Sequence, residues 1–211
     1  MSGGIVRGNY RKRQRGNQVI EFALCSVFLV PLFLGTVVLG MRLGRSIQVT
    51  QVVRDTAHMY ARFVDFAKTG NQEMVVRIAS GLKMTRTGGN GVVILSQVMQ
   101  IGDQQCAEGG VAIPDCFNRT RSVVIHRVVI GNSSLRQSSL ATPTPALVGA
   151  DGKIAPVNYL REASVVATNF ASMLVLNSGE LAYVVEGYFI SPELDSFGAY
   201  LPSGVYSRCI F

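Results

Sequence analysis

The sequence predicts an α+β protein in which a long N-terminal helix, apolar first and amphipathic afterwards, packs on an antiparallel β-sheet domain. Three observations predict this fold. Residues 22–41 carry no charge, and residues 46–68 place apolar side chains at helical spacing. After residue 91 the chain has runs rich in Val, Ile and Tyr, bounded by Gly, Asn or Ser, which are typical of strands.

The N-terminal tail is strongly basic. Five of the twenty basic residues lie in the first sixteen positions, where there is no acid: Arg7, Arg11, Lys12, Arg13 and Arg15. The rest of the chain holds fifteen basic and thirteen acidic residues. A nucleic-acid-binding protein usually carries its basic patch on the folded domain, so this distribution argues against a nucleic-acid partner. A composition of 48% hydrophobic and 16% charged residues also excludes an intrinsically disordered chain.

The run FALCSVFLVPLFLGTVVLGM, residues 22–41, predicts a single membrane-spanning helix in contact with the lipid bilayer. A twenty-residue helix is about 30 Å long, which matches the hydrocarbon thickness of a bilayer. The basic tail predicts a cytoplasmic N-terminus and a C-terminal domain outside the inner membrane. A secretory signal peptide fits poorly, because its apolar run is usually about 7–15 residues and a small-x-small cleavage pattern follows it. An ordinary single-pass anchor remains an alternative.

Glu21 is the unusual residue at the start of this helix, because Val19, Ile20 and Phe22 surround it. A charged side chain in hydrocarbon costs roughly 2.5–3.5 kcal/mol on insertion scales, so we expect it to have a partner. A terminal amine would serve, and one arises if the chain is cut after Gly16. Asn17 then becomes the first residue and Glu21 the fifth.

This arrangement resembles the type IV prepilin signal, with its basic leader, Gly before the cut, Glu at the fifth mature position, Phe after it and apolar helix. The resemblance implies that Gly16 and Asn17 flank the bond cut by a prepilin peptidase. It implies that Glu21 and Phe22 act in recognition and assembly. Pro31 lies where pilin helices often carry a helix-bending proline.

Over about residues 13–67 the chain is similar, more narrowly, to the TadE-like family, minor pilins or pseudopilins of the tight adherence (type IVb) pilus. The segments Arg54-Asp55-Thr56-Ala57 and Tyr60-Ala61-Arg62 occupy its Arg- and Ala-rich helix region in altered form. One departure is that Asn17 and Gln18 follow Gly16, where the family has small apolar residues.

The family resemblance implies a structural protein of pilus assembly, and not an enzyme, in the bacterial inner membrane and in a pilus. The implied partners are prepilin peptidase, other pilin subunits through the N-terminal helix, and an inner-membrane assembly platform. The expected segments are a basic leader at 1–16, a transmembrane and stalk helix at 17–69, and an extracytoplasmic α+β domain at 70–211.

The remaining elements follow from local patterns. We expect the stalk helix to continue to Lys68, because neither Pro nor Gly lies between Arg45 and Gly70. The other predicted elements are a helix at 72–83, strands at 92–101, 122–130 and 181–190, and a long loop at 133–156. Residues 163–176 fit a helix or a strand, and we favour a helix before Val175.

Of the four cysteines, Cys106 and Cys116 flank a short loop and are the predicted disulfide. Outside the inner membrane such a pair can oxidise, which stabilises the fold by roughly 2–3 kcal/mol. Cys25 lies in the apolar run and is expected to be a packing residue. Cys209 is free or pairs with either of the two.

We predict no catalytic residues, no metal site and no cofactor. His58 and His126 are isolated from Cys or carboxylate patterns, and the glycines at 88–91 lack the Lys-Ser/Thr of a phosphate loop. Two alternatives to a pilin remain. An uncleaved, anchored periplasmic binding module predicts an intact leader, and an anchored hydrolase needs a clustered acid–base set.

Overall fold

The structure is a computed structural model that describes residues 11–191 and 204–211, with side chains from residue 18 onward. The chain divides into two compact units, Met1–Leu43 and Gly44–Phe211. The described part of the first unit is helical throughout. The strands of the described residues all belong to the second unit.

Helix α1 covers Arg11–Ala61 and includes Pro31 in its interior. Within the described residues, Gln18–Ala61 is the one helix long and apolar enough to cross a membrane, judged by length and composition. In the second unit, one side of α1 is buried at intervals of three and four residues: Val49, Val52, Val53, Thr56, Ala57 and Tyr60. This confirms the amphipathic half of the predicted helix.

The end of α1 is set by a Schellman motif and lies before the predicted end at Lys68. Phe63 adopts a left-handed backbone conformation with φ of 64°. Its N–H donates to the carbonyl of Tyr60 at 3.0 Å, and the N–H of Val64 donates to that of Met59 at 3.1 Å. These two bonds satisfy the last carbonyls of the helix and turn the chain away. A Gly usually occupies the position of Phe63, so the sequence lacks the usual stop signal.

A second helix and a hairpin follow. Helix α2 covers Thr69–Ile78 and is succeeded by a 3-10 helix at Ser80–Leu82. Strands β1 (Met84–Thr85) and β2 (Gly88–Gly89) pair in an antiparallel hairpin. The helix predicted at 72–83 is thus confirmed in its first half and replaced by tighter structure in its second.

The main sheet has four antiparallel strands. They are β3 (Gly91–Gln100), β4 (Ser122–Gly131), β5 (Leu181–Ile190) and β6 (Gly204–Ile210), in the order β4-β3-β5-β6. The three predicted strands are confirmed to within one residue at either end. Strand β6 was not among them.

The sheet has a buried cluster on each face, because successive side chains of a strand point to opposite sides. Val93, Leu95 and Val185 pack with the buried side of α1. Val98 and Val184 belong to the second cluster, which is covered by the connecting segments. The fold is therefore the predicted combination of a long N-terminal helix and an antiparallel sheet.

The connecting segments contain two short helices, α3 (Asp103–Glu108) and α4 (Pro156–Arg161). The helix predicted within 163–176 is wrong. After a 3-10 turn at Ala163–Val165, Val166 instead forms an isolated antiparallel bridge with Val123 of β4. Burial of this segment against the sheet overrides its weak helical pattern.

Candidate functional site

The predicted cleavage and assembly residues all lie on α1. Gly16 and Asn17 belong to its continuous helical backbone, although the side chain of Asn17 lies outside the described part. Glu21 follows four residues after Asn17. Residues four apart in an α-helix share a face, one turn from each other. An amine created at Asn17 would lie one helical turn from the Glu21 position.

The Glu21 side chain is exposed and has no hydrogen bond or ion pair with any described residue. Next to it, the ring of Phe22 is also exposed. A carboxylate in hydrocarbon is costly unless an opposite charge or hydrogen-bond donor meets it. The protomer supplies no such group from residue 18 onward.

The surface of α1 between Phe22 and Met41 is apolar on every side. The consecutive residues Phe28 and Leu29 are 72% and 61% exposed, and each residue is rotated by about 100° from the one before. Large apolar side chains with this exposure continue around the helix along the whole segment. A helix that is apolar all round is buried in lipid or among other helices.

Pro31 and two hydroxyl groups of this segment are arranged in a way that a hydrocarbon environment tolerates. Pro31 has no N–H, and the helix nevertheless continues through it, which membrane helices tolerate. Two hydroxyls bond to backbone carbonyls of the preceding turn: Ser26 Oγ donates to Phe22 O and Thr36 Oγ1 to Phe33 O, each at 2.8 Å. Neither hydroxyl therefore needs water.

In the second unit, Cys106 and Cys116 form a disulfide with a Cα–Cα distance of 6.0 Å. Both are buried, and Cys106 lies in α3. Cys25 on α1 and Cys209 on β6 are free thiols.

His126 makes two hydrogen bonds that a neutral ring can satisfy. Its Nε2–H donates to the carbonyl of Asp151 at 3.0 Å, which leaves Nδ1 to accept from the Tyr60 hydroxyl at 2.7 Å. Burial lowers the pKa of His126 and raises that of Tyr60. His58 instead packs against the ring of Phe211. No group of three His, Cys, Asp or Glu residues able to hold a metal occurs among the described residues.

A buried carboxylate in the middle of β5 was not predicted from the sequence. Glu186 is only 2% exposed and accepts hydrogen bonds from Ser138 Oγ, from Ser139 N and Oγ, and from Tyr206 Oη. Burial alone would raise the pKa of Glu186, but these hydrogen bonds outweigh it and the pKa lies below its ordinary value. The signal in the sequence was a lone Glu inside the apolar strand Val184 to Phe189.

A family model described as TadE-like protein matches residues 16–58 of the chain. The match starts at the Gly of the predicted cleavage motif and includes Glu21, Phe22 and Pro31. It ends in the amphipathic part of α1. The predicted resemblance to TadE-like proteins is thus confirmed over these residues. No curated protein and no solved structure matches the chain.

Proposed function

We propose, from the match of residues 16–58 to the TadE-like family, that this protein is a minor pilin or pseudopilin. It takes part in assembling or initiating a tight adherence (type IVb) pilus for surface attachment. The observation that carries the proposal is on α1. Between Phe22 and Met41 the helix exposes apolar side chains all round, and Glu21, which comes just before them, follows four residues after Asn17.

The first step is processing by a prepilin peptidase. Hydrolysis of the Gly16–Asn17 peptide bond consumes one water and leaves a carboxylate on Gly16 and an ammonium on Asn17. The basic leader is lost, and the apolar helix stays in the bilayer. Processing thereby creates a positive charge at the membrane-embedded end of the helix.

The second step is association of helices. Glu21 on one subunit pairs with the Asn17 ammonium of a neighbour, which neutralises two charges that would each be costly in hydrocarbon. The apolar side chains from Val19 to Leu43 pack against other pilin subunits instead of lipid. In this proposal the charge pair sets the register between helices and the apolar surface supplies the contact area.

The orientation follows from the charges that flank the span. The basic leader keeps the N-terminus in the cytoplasm, so residues after Arg45 fold outside the inner membrane. The Cys106–Cys116 disulfide suits that oxidising side. The assembly platform in the inner membrane would meet the cytoplasmic end of the helix.

The first test is the N-terminal residue of the protein purified from membranes of cells with and without prepilin peptidase. We expect Asn17 in the first strain and Met1 or Ser2 in the second. A start at Met1 or Ser2 in both strains would favour the uncleaved anchored binding module instead.

The second test separates the role of Glu21 from insertion and folding. Glu21→Ala should insert and be processed but fail to support piliation. Asp55→Ala is the matched control, because Asp55 is an exposed acid on the same helix and lies outside the apolar segment. Normal piliation in the Glu21→Ala strain would contradict the proposed charge pairing.

A further inference from the structure

A cavity of about 730 Å³ lies on the side of the sheet that faces away from α1. One wall is the sheet, through Ile94, Arg127 and Val129. The other is the connecting segment 133–148, which we call the strap. Small-molecule sites usually have volumes of about 300–1,000 Å³ and combine apolar walls with a few polar groups. The cavity has the size and composition of such a site.

Arg127 lines the cavity, and one N–H group of its guanidinium has no hydrogen-bond partner. Its Nη2 donates to the carbonyl of Ala141 at 3.2 Å, while its Nε is buried without a hydrogen-bond partner. No carboxylate forms an ion pair with it among the described residues. Burial lowers the pKa of Arg127 to about 10, and the negative charge of nearby Glu186 opposes only part of that shift. A buried donor without an acceptor is costly, so a ligand oxygen would be stabilised here.

Arg136 adds a second guanidinium from the strap. Its Cζ lies 4.3 Å from the ring centre of Tyr206 and 5.3 Å from that of Tyr188, so both rings fix its position. No ion pair neutralises it among the described residues. Among the described residues, the lining of the cavity includes Arg127 and Arg136 and no Asp or Glu. The neighbouring carboxylate of Glu186 accepts hydrogen bonds from Ser138, Ser139 and Tyr206. Two guanidinium groups at the lining against this one carboxylate leave the cavity suited to an anion.

The strap is anchored, so the cavity exists before a ligand arrives. Glu186 accepts hydrogen bonds from Ser138 and Ser139 in the strap, and the next residue, Leu140, is buried with 2% exposure. Ala141 is tied to Arg127 through its carbonyl. These contacts hold the strap at a fixed distance from the sheet. A preformed site loses less free energy on binding than one that must close.

We propose that this cavity binds a sugar acid of monosaccharide size, with the carboxylate held by Arg127 and Arg136. Guanidinium groups bind planar carboxylates through paired, charge-assisted hydrogen bonds. The hydroxyls of Ser133, Thr142 and Thr144 match the hydroxyls of a sugar ring. The apolar side chains of the sheet wall suit the C–H face of that ring. The proposal does not depend on processing or on pilus assembly.

The test is isothermal titration of the full-length protein in detergent micelles with D-glucuronate, D-galacturonate and N-acetylneuraminate. Each acid is compared with its methyl ester, which keeps the ring and removes the charge. We expect saturable binding of at least one acid, and at least about tenfold weaker binding of its ester because the charge-assisted bonds are lost.

Three variants locate the site. Arg136→Gln changes an exposed residue, so it should fold and should weaken the acid at least about tenfold. Arg127→Lys keeps the charge and removes the paired donors, and should weaken binding similarly. Arg161→Gln is the matched control, since Arg161 is exposed at the end of α4 and does not line the cavity.

Four results would overturn the proposal. The first is the absence of saturable binding of any of the three acids at concentrations up to about 10 mM. The second is equal binding of an acid and its ester, and the third is an acid affinity that Arg136→Gln leaves unchanged. The fourth is tighter binding of inorganic phosphate than of any sugar acid, which would indicate a different class of ligand.

Discussion

Gly187 of β5 lies against Val53 of α1 with no room for a side chain between them. A Cβ on Gly187 would be 2.3 Å from Cγ2 of Val53. Val53 is fully buried, so it has little freedom to move aside. The absence of a side chain at this point determines how closely the stalk helix approaches the sheet.

Gly187→Ala should therefore lower the free energy of unfolding, by about 1–3 kcal/mol, because an added methyl group overpacks a filled core. The measurement is urea unfolding of the full-length protein in detergent, followed by tyrosine fluorescence. Gly70→Ala is the control, because a Cβ on Gly70 in α2 meets nothing within 4 Å. That variant should gain about 0.5–1 kcal/mol from helix propensity. If both variants were equally stable, the close approach at Gly187 would not limit the packing.

Phe63 occupies the left-handed position of the Schellman motif, and its side chain is 80% exposed. This conformation costs a residue with a Cβ roughly 1–2 kcal/mol, and Gly avoids that cost. Phe63→Gly removes this cost but also loses the edge contact between the rings of Phe63 and Tyr183. The net effect should be a free energy of unfolding higher by about 0.5–1 kcal/mol.

The control for this gain is Phe63→Ala, which removes the same ring but keeps the Cβ. It should show no stabilisation in the same urea unfolding experiment. If both variants were more stable than the wild type, the cause would be the loss of the exposed ring and not the backbone conformation.

The elements that could be predicted from the sequence are those with local patterns. The apolar run, the amphipathic stripe of α1 and the three long strands each show their own periodicity. Strand β6 and the bridge at Val166 were not predicted, because tertiary pairing with β5 and with Val123 of β4 decides their conformation. The end of α1 was missed because Phe63 stands where Gly is usual.

The candidate site shows the same division. The spacing from Gly16 to Glu21 lies within one helical segment and can be recognised in the sequence. The partners of Glu186 cannot, since Ser138 and Ser139 precede it by 48 and 47 residues. The unused donor of Arg127 likewise depends on how the strap folds over the sheet.

The burial of His126 predicts a pH dependence of stability. Because burial keeps the pKa of His126 below its ordinary value of about 6.5, the unfolded chain takes up a proton at a higher pH than the folded protein does. The stabilisation is complete above about pH 6.5 and is lost as the pH falls towards the folded pKa. We expect the free energy of unfolding to decrease between pH 7.5 and 5.5, by up to about 1.4 kcal/mol per pH unit.

His126→Gln should be less stable at pH 7.5 and should lack this decrease. In His58→Gln, which replaces the other histidine of the chain, the decrease should persist. Carboxylates such as Glu186 titrate at lower pH and do not contribute in this window. If the stability of His126→Gln still decreased between pH 7.5 and 5.5, the pH dependence would have to come from another group.

Glu186 is the residue whose replacement should loosen the strap most. Its two oxygens accept four hydrogen bonds, three of them from Ser138 and Ser139. In Glu186→Gln, an amide N–H₂ replaces one carboxylate oxygen and cannot accept the hydrogen bonds that this oxygen received. At least one buried donor would therefore lose its acceptor. We expect a loss of about 2–4 kcal/mol in the free energy of unfolding at pH 7.

The matched control is Glu162→Gln, because Glu162 is exposed and its side chain makes no hydrogen bond or ion pair with a described residue. It should change stability by no more than about 0.5 kcal/mol. Since the hydrogen bonds keep the pKa of Glu186 below its usual value, its contribution is present above about pH 4.5 and is lost as the pH falls through the folded pKa. The stability difference between wild type and Glu186→Gln should therefore shrink in acid. A difference that stayed constant down to pH 3 would mean that the carboxylate charge is not what holds the strap.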